Sequence, residues 1–288
     1  MDSIKSQDYY WGRVTSNIDW CENNYEISPY ICEFYNTFSS FVISAFGIYG
    51  IYLMMSASSR DQQLFEHIKI LKKLNIRTQL ILSYTSLFLV GVGSAFYHAT
   101  LLYENQLFDE FPMLLTAATF IYSMLTIDPV DKEKDPKWYI FMRKYLPIGL
   151  SSYVIAVAIT ISIIRDCPTI LQVAFGFLIC SNVVLSHFYA RKIKIPLSES
   201  NPKKFLLFCC ISMLSAYFSW LIERKLCSNG NVIPGIQLHS VWHALTGLAG
   251  FYFVQFYLSA CLEKHGYKTQ INWNYGVASV RGFIKSSM

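Results

Sequence analysis

A handful of residues in an otherwise apolar chain carry side chains able to do chemistry. Ser94 and His98 stand one helical turn apart in "GVGSAFYHATLLYENQLFDEFPM", and Asp109 follows within the same stretch. His239 and His243, in "QLHSVWHALTG", are spaced i, i+4 and so share one face of a helix. Three imidazoles can hold Zn²⁺ and leave its fourth position open to water, the arrangement of a catalytic rather than a structural site. Such an ion lowers the pKa of bound water from 15.7 to about 7 and polarises a carbonyl. A carboxylate such as Asp109 can carry the water's proton to a leaving amine. A hydroxyl such as Ser94 can donate to the developing oxyanion. The reaction that suits this set is hydrolysis of an amide or ester. Each residue also has a blander role: a histidine hydrogen-bonded in the core, a small serine that lets helices pack, a carboxylate at a helix start. The histidine pair, joined by a third histidine and a carboxylate, outweighs those readings.

The elements that hold these residues are membrane helices. Of the 288 residues 53% are hydrophobic and 15% charged, against about 25% charged in soluble domains. Seven apolar runs, at 31–55, 77–102, 106–127, 145–164, 168–189, 203–223 and 236–262, approach or exceed the ~20 residues that cross a bilayer core. The expected fold is all-α: a polytopic membrane protein of seven transmembrane helices, separated by polar loops such as "TIDPVDKEKDPKW" and "ARKIKIPLSESNPKK". Residues 1–30 form an N-terminal segment without an apolar signal-peptide core; 31–262 form the helical domain and 263–288 a tail.

Basic residues orient the chain. All of the 24 Lys and Arg fall on one side of these spans except Lys5, Arg13, Arg165, Arg224 and Lys225. The positive-inside bias therefore places the N-terminus in the lumen and the C-terminus in the cytosol. The net charge of +5 faces the cytosolic leaflet and calls for no nucleic-acid partner. In this arrangement Ser94, His98, Asp109, His239 and His243 lie at similar depth near the lumenal face, whereas His67, His187 and His265 lie toward the other. Ionisable groups within spans are costly and mark function.

The segment "DWCENNYEISPYICE" lies on the lumenal side as well. Its Asp19, Glu22, Asn24 and Glu33 offer the oxygen ligands that hard cations take, although acidic segments are most often simply solvated. Cys21 and Cys227 share the lumenal side, where disulfides persist; Cys32 and Cys167 lie near it as competing partners. Cys180, Cys209, Cys210 and Cys261 fall within spans as small apolar packing residues.

Three stretches, "YWGRVTSNIDWCENNYEISPYICEFYNTFS", "VGVGSAFYHATLLYENQLFDEFPM" and "HSVWHALTG", closely resemble the alkaline ceramidase family of seven-span membrane hydrolases, in order and over nearly the whole chain. The resemblance implies zinc on His98, His239 and His243, with Asp109 as the proton-transferring carboxylate and Ser94 as the oxyanion partner. It implies calcium on Asp19, Trp20 (through its backbone carbonyl), Glu22, Asn24 and Glu33, and a disulfide between Cys21 and Cys227. The implied reaction cleaves the amide of ceramide, dihydroceramide or phytoceramide to a sphingoid base and a fatty acid, in endoplasmic reticulum or Golgi membranes and at alkaline pH. Two departures from the family pattern, "DEFPM" for "DELPM" and "HSVWH" for a more aromatic "HxWWH", touch no ligand and bear on acyl-chain preference. The alternative is a receptor of the adiponectin-receptor type, which shares the ligand pattern. Those receptors place the N-terminus in the cytosol and lack the acidic segment. An opsin-like receptor is disfavoured, since the seventh run holds no lysine, and an ion pathway would need polar residues continuing across the membrane.

Overall fold

A computed structural model describes residues 9–55, 62–128, 130–165, 167–195, 201–228 and 237–283; Lys5, Arg60 and Lys285 of the charge argument lie outside them. Eight helices and one hairpin follow in order: α1 (Phe34–Met55), α2 (Gln62–Lys73), α3 (Arg77–Thr100), α4 (Tyr103–Leu125), α5 (Lys137–Ile163), α6 (Thr169–Lys192), α7 (Asn201–Ser228), α8 (Leu238–Lys264), β1 (Lys268–Asn274) and β2 (Val277–Phe283). Six of these helices, α1, α3 and α5 to α8, are long and apolar enough to cross a membrane, so the chain is a mostly helical, multi-pass membrane protein. The third expected run coincides with α4, which has 23 residues. Glu104, Asp109 and Glu110 crowd acids into its first third, which sets it apart from those six.

The helices bury themselves very unequally. In α8 every residue from Phe251 to Leu262 is buried, as expected for a helix that is apolar all round and sits at the centre of a bundle. Around it pack α1, α3 and α7, and α4 joins through α3. By contrast Ile161 is the buried residue of α5 among those described, leaving that helix to face lipid beside α4 and α6. Helix α5 also begins well before the expected run at 145, because "KWYIFMRK" continues the helix past its apolar part.

Two features lie outside the expected seven-span, all-α arrangement. Helix α2 is a short amphipathic helix whose Leu64, Ile68 and Leu71 are buried at one-turn spacing; at 12 residues it is too short to register as a span. Beyond α8 the chain forms an antiparallel hairpin in which Asn274 faces Val277. Tyr275 and Gly276 at its tip have φ of 52° and 77°, the two positive values that a type I′ turn needs. The hairpin does not trail away: Ala278 and Val280 are buried in the main core with Phe251, Tyr252 and Leu262. Its backbone is tied to buried side chains, Val280 N donating to Gln255 Oε1 at 2.7 Å and Gly282 N to His67 Nδ1 at 3.0 Å. Gln255 in turn donates to Tyr84 Oη at 2.6 Å.

Candidate active site

Close helix crossings set the site. Helix α3 runs against α1 at Gly91, where an added Cβ would lie 2.6 Å from the carbonyl oxygen of Ser40. Two residues on, Gly93 touches α4 itself: a Cβ there would collide with the Phe108 carbonyl and come within 3.0 Å of Asp109 N. Only glycine lets these backbones meet. The residue after Gly93 is Ser94, and the residue after Phe108 is Asp109, so this crossing brings the hydroxyl to the carboxylate; the two side chains interact. Ser94 is buried and accepts a hydrogen bond from Ser40 Oγ at 3.0 Å. Asp109 is half-buried.

Helix α3 ends at Leu101, whose φ of 48° turns the chain sharply into α4. His98 lies in that last turn. Helix α8 opens with His239 and His243, both facing inward at 3% exposure. The ring centroids of His98 lie 5.2 Å from His239 and 4.9 Å from His243, and the latter two are 4.5 Å apart. One ring nitrogen of each of the three falls within 4.8 Å of the others. Among the described residues no other set of three histidine, cysteine or carboxylate ligand atoms converges so tightly.

The surroundings of these rings test whether the set fits a metal ion. Nδ1 of His98 contacts Glu33 Oε2 at 2.5 Å. Nδ1 of His243 contacts Ser39 Oγ at 2.8 Å. Ser39 Oγ also reaches the Asn36 carbonyl at 3.1 Å, so its proton can go there and its oxygen can accept from His243 Nδ1. With hydrogen on Nδ1, both rings would present a bare Nε2 to an ion. Histidine ligands are held in this way by an outer acceptor that fixes the tautomer. The donor set fits a divalent metal ion.

The N-terminal segment closes over the histidines. Cys32 N and Glu33 N donate to Ala99 O and His98 O at 2.9 and 3.0 Å, and Thr15 and Ser16 both donate to Leu101 O. Glu33 is fully buried, and its other oxygen accepts from Trp20 N at 3.1 Å. The Trp20 ring stacks on His239 with centroids 3.8 Å apart. A disulfide joins Cys21 to Cys227 at the end of α7; Cys32 and Cys167 are free.

Of the residues expected to take calcium, Asn24 Nδ2 donates to both Asp19 oxygens at 3.2 and 3.3 Å. Glu22 is buried and accepts from Tyr35 N at 2.7 Å and Asn36 N at 2.9 Å, satisfying two free amides at the start of α1. Desolvation raises the carboxyl pKa of both Asp19 and Glu22, and the nearby Glu33 carboxylate raises them further. The Tyr35 and Asn36 amides pull Glu22 back down. These acids crowd one another, yet Glu33 is turned to His98 and Glu22 to the helix start.

Sequence reasoning missed several participants. Ser39, Ser40 and Asn36 join α1 to the site, Asn36 also accepting from Ser240 Oγ at 3.1 Å; nothing in their types or spacing distinguished them. Glu223 in α7 is buried beside His239, with Oε2 at 3.9 Å from Nδ1. An acid inside an apolar run was the available signal.

Comparison with known proteins shows the family. A family model described as Ceramidase matches residues 12–281. The putative alkaline ceramidase dcd3B of Dictyostelium discoideum is 70% identical over 96% of this chain and 98% of its own. Alkaline ceramidase YPC1 of Saccharomyces cerevisiae is 29% identical over 85% of this chain and 76% of its own. Alkaline ceramidase 3 of Mus musculus is 26% identical over 93% and 92% respectively.

Proposed function

This chain belongs to the alkaline ceramidase family and is a ceramide-hydrolysing enzyme, and we propose that it works as a zinc-dependent amidase of seven spans, with its active site near the lumenal face. The observation that carries this reading is the buried convergence of His98, His239 and His243 beside the Gly93 crossing that joins Ser94 to Asp109. A Zn²⁺ held by His98, His239 and His243 would supply Lewis acidity to the amide carbonyl and to the attacking water.

The chain's own residues do the rest. Asp109, half-buried at the edge of the site, takes a proton from the attacking water as its oxygen bonds to the amide carbon. It returns that proton to the nitrogen as the C–N bond breaks, so one molecule of water yields one amine and one fatty acid. Ser94 donates to the oxygen that becomes negative, and Ser40, hydrogen-bonded to Ser94, orients that hydroxyl. Glu33 fixes His98 and Ser39 fixes His243, so the ligand geometry is set before substrate arrives.

With α4 counted beside the six apolar helices, the chain crosses seven times, and the basic-residue asymmetry supports a lumenal N-terminus. Membranes of the endoplasmic reticulum or Golgi follow from the family resemblance. Calcium bound by Asp19, Glu22, Asn24, Glu33 and the Trp20 carbonyl would relieve the mutual repulsion of three neighbouring acids and so hold the N-terminal strap over the histidines.

The test is hydrolysis of ceramide, dihydroceramide and phytoceramide by the purified protein, with released sphingoid base and bound zinc both measured. Base release with about one zinc per chain is expected. Folded protein that holds zinc and cleaves none of the three would favour a receptor of the adiponectin-receptor type instead.

A further inference from the structure

The three histidines are not held alike. His98 Nδ1 rests on Glu33 and His243 Nδ1 on Ser39. His239 Nδ1 is buried with no hydrogen-bond partner among the described residues, and Glu223, 4% exposed, has only the nearby Cys21 amide to stabilise its carboxylate and makes no well-formed hydrogen bond. The two groups face each other across 3.9 Å. A buried carboxylate so sparsely supplied with donors is costly to keep. We propose that Glu223 is the positioning residue of His239, accepting its Nδ1–H when the histidine triad carries its metal ion. The inference rests on the reading of that triad as a zinc site.

Charge balance favours the same assignment. Three neutral imidazoles bring no charge to a dication buried among them, and such an ion needs compensation nearby. Glu33 behind His98 provides one negative charge. Ser39 behind His243 provides none. Glu223 behind His239 would add a second negative charge among the outer partners of the ligands, beside the Asp109 carboxylate at the site. The nearest base on its own helix does not compete: the Arg224 guanidinium stacks over Trp220, 5.1 Å from the ring centroid.

The neighbourhood also holds Glu223 in place. Cys227 lies at i+4, on the same helix face, and its disulfide to Cys21 fixes the N-terminal strap there. Cys21 Sγ lies 3.6 Å from the Glu223 carbonyl oxygen. The adjoining Trp20 covers the His239 ring. With α7, α8 and the strap pinned together, a side-chain movement of about 1 Å would close the gap to the ~2.8 Å of a charge-assisted hydrogen bond.

The experiment measures zinc affinity of the purified full chain by competition with a chromophoric chelator, for the parent, Glu223→Leu and Glu223→Gln, together with thermal stability of the metal-free forms. Glu223→Leu should bind zinc about 10- to 100-fold more weakly, while its metal-free form is at least as stable as the parent, since a buried and poorly solvated acid is gone. Glu223→Gln keeps an acceptor and loses the charge, and its loss should be smaller. Unchanged affinity in Glu223→Leu, with tight binding in the parent, overturns this proposal and leaves the zinc site standing. A parent that binds no zinc overturns both. Should Glu223→Leu not fold, Glu223→Gln decides: weaker binding supports the assignment and unchanged binding ends it.

Discussion

Replacing Gly93 with alanine should damage the enzyme through a single methyl group. The added Cβ would lie 2.6 Å from the Phe108 carbonyl carbon, closer still to its oxygen, and 3.0 Å from Asp109 N. Carbon atoms in contact sit at about 3.5–4.0 Å, so α4 must retreat from α3 by about 1 Å. The obstructing atoms are backbone, which cannot swing aside as a side-chain tip can. Alanine gains ~1 kcal/mol of helix propensity over glycine, against ~1–3 kcal/mol for overpacking, leaving a modest net destabilisation. The catalytic effect should be larger. Ser94 and Asp109 sit on opposite sides of this crossing, and a misplacement of about 1 Å can cost ~100-fold in rate. The assay is kcat for ceramide hydrolysis with bound zinc and melting temperature measured on the same preparation. The expected result is zinc retained, a melting temperature lowered by a few degrees, and kcat reduced by about two orders of magnitude. Gly149→Ala, in the interior of α5 where nothing lies within 4 Å of the new Cβ, serves as the control: zinc and kcat should be unchanged and the melting temperature equal or slightly higher, since only the helix propensity gain of ~1 kcal/mol remains. Full activity in Gly93→Ala would refute the claim that this crossing sets the geometry of Ser94 and Asp109.

Three further outcomes follow from the same structure. Glu22→Ala strips the acceptor from the Tyr35 and Asn36 amides and should cost ~1–3 kcal/mol, read as a lower melting temperature and faster proteolysis of the N-terminal segment. Cys227→Ser releases the strap that carries Trp20; loss of a native disulfide typically costs ~2–5 kcal/mol, and easier removal of zinc by a chelator should accompany it. His67 is pushed down to about 4 by burial and then by Arg281, so it stays neutral in the fold while the unfolded chain takes up a proton below about 6.5. Its contribution is complete above pH 6.5 and is lost as pH falls toward 4, by at most ~3 kcal/mol; His67→Gln should flatten that part of a stability-against-pH curve.

The histidines were legible in the sequence because metal chemistry constrains type and spacing together. An i, i+4 pair survives any uncertainty about where a helix begins, and helix α8 starts within a few residues of the expected run. The outer partners were not legible. Ser40 becomes part of the site because Gly91 admits α3 against α1, and Ser39 and Asn36 because α1 also packs on α8, packing facts with no counterpart in one helix's pattern. Glu223 closed the run at 203–223, where an acid passes for an interfacial residue; helix α7 continues to Ser228, which places that acid inside. Glu33 was read for calcium because its neighbours are acidic, and its contact with His98 depends on backbone pairing of residues 32 and 33 with the end of α3. The terminal hairpin escaped notice for a different reason. Its turn uses Tyr275 at positive φ where Asn or Gly is the usual signal, and its two strands pack on a membrane bundle rather than within a sheet.

The most direct measurement compares parent, His243→Ala and Asp109→Asn for bound zinc and for ceramide cleavage on the same samples. The account predicts about one zinc and turnover in the parent, and loss of both in His243→Ala. In Asp109→Asn it predicts retained zinc with turnover reduced by about 10²–10⁴-fold, the range general acid–base groups contribute. Zinc undiminished in His243→Ala would contradict the triad, and an active Asp109→Asn would contradict the proton path.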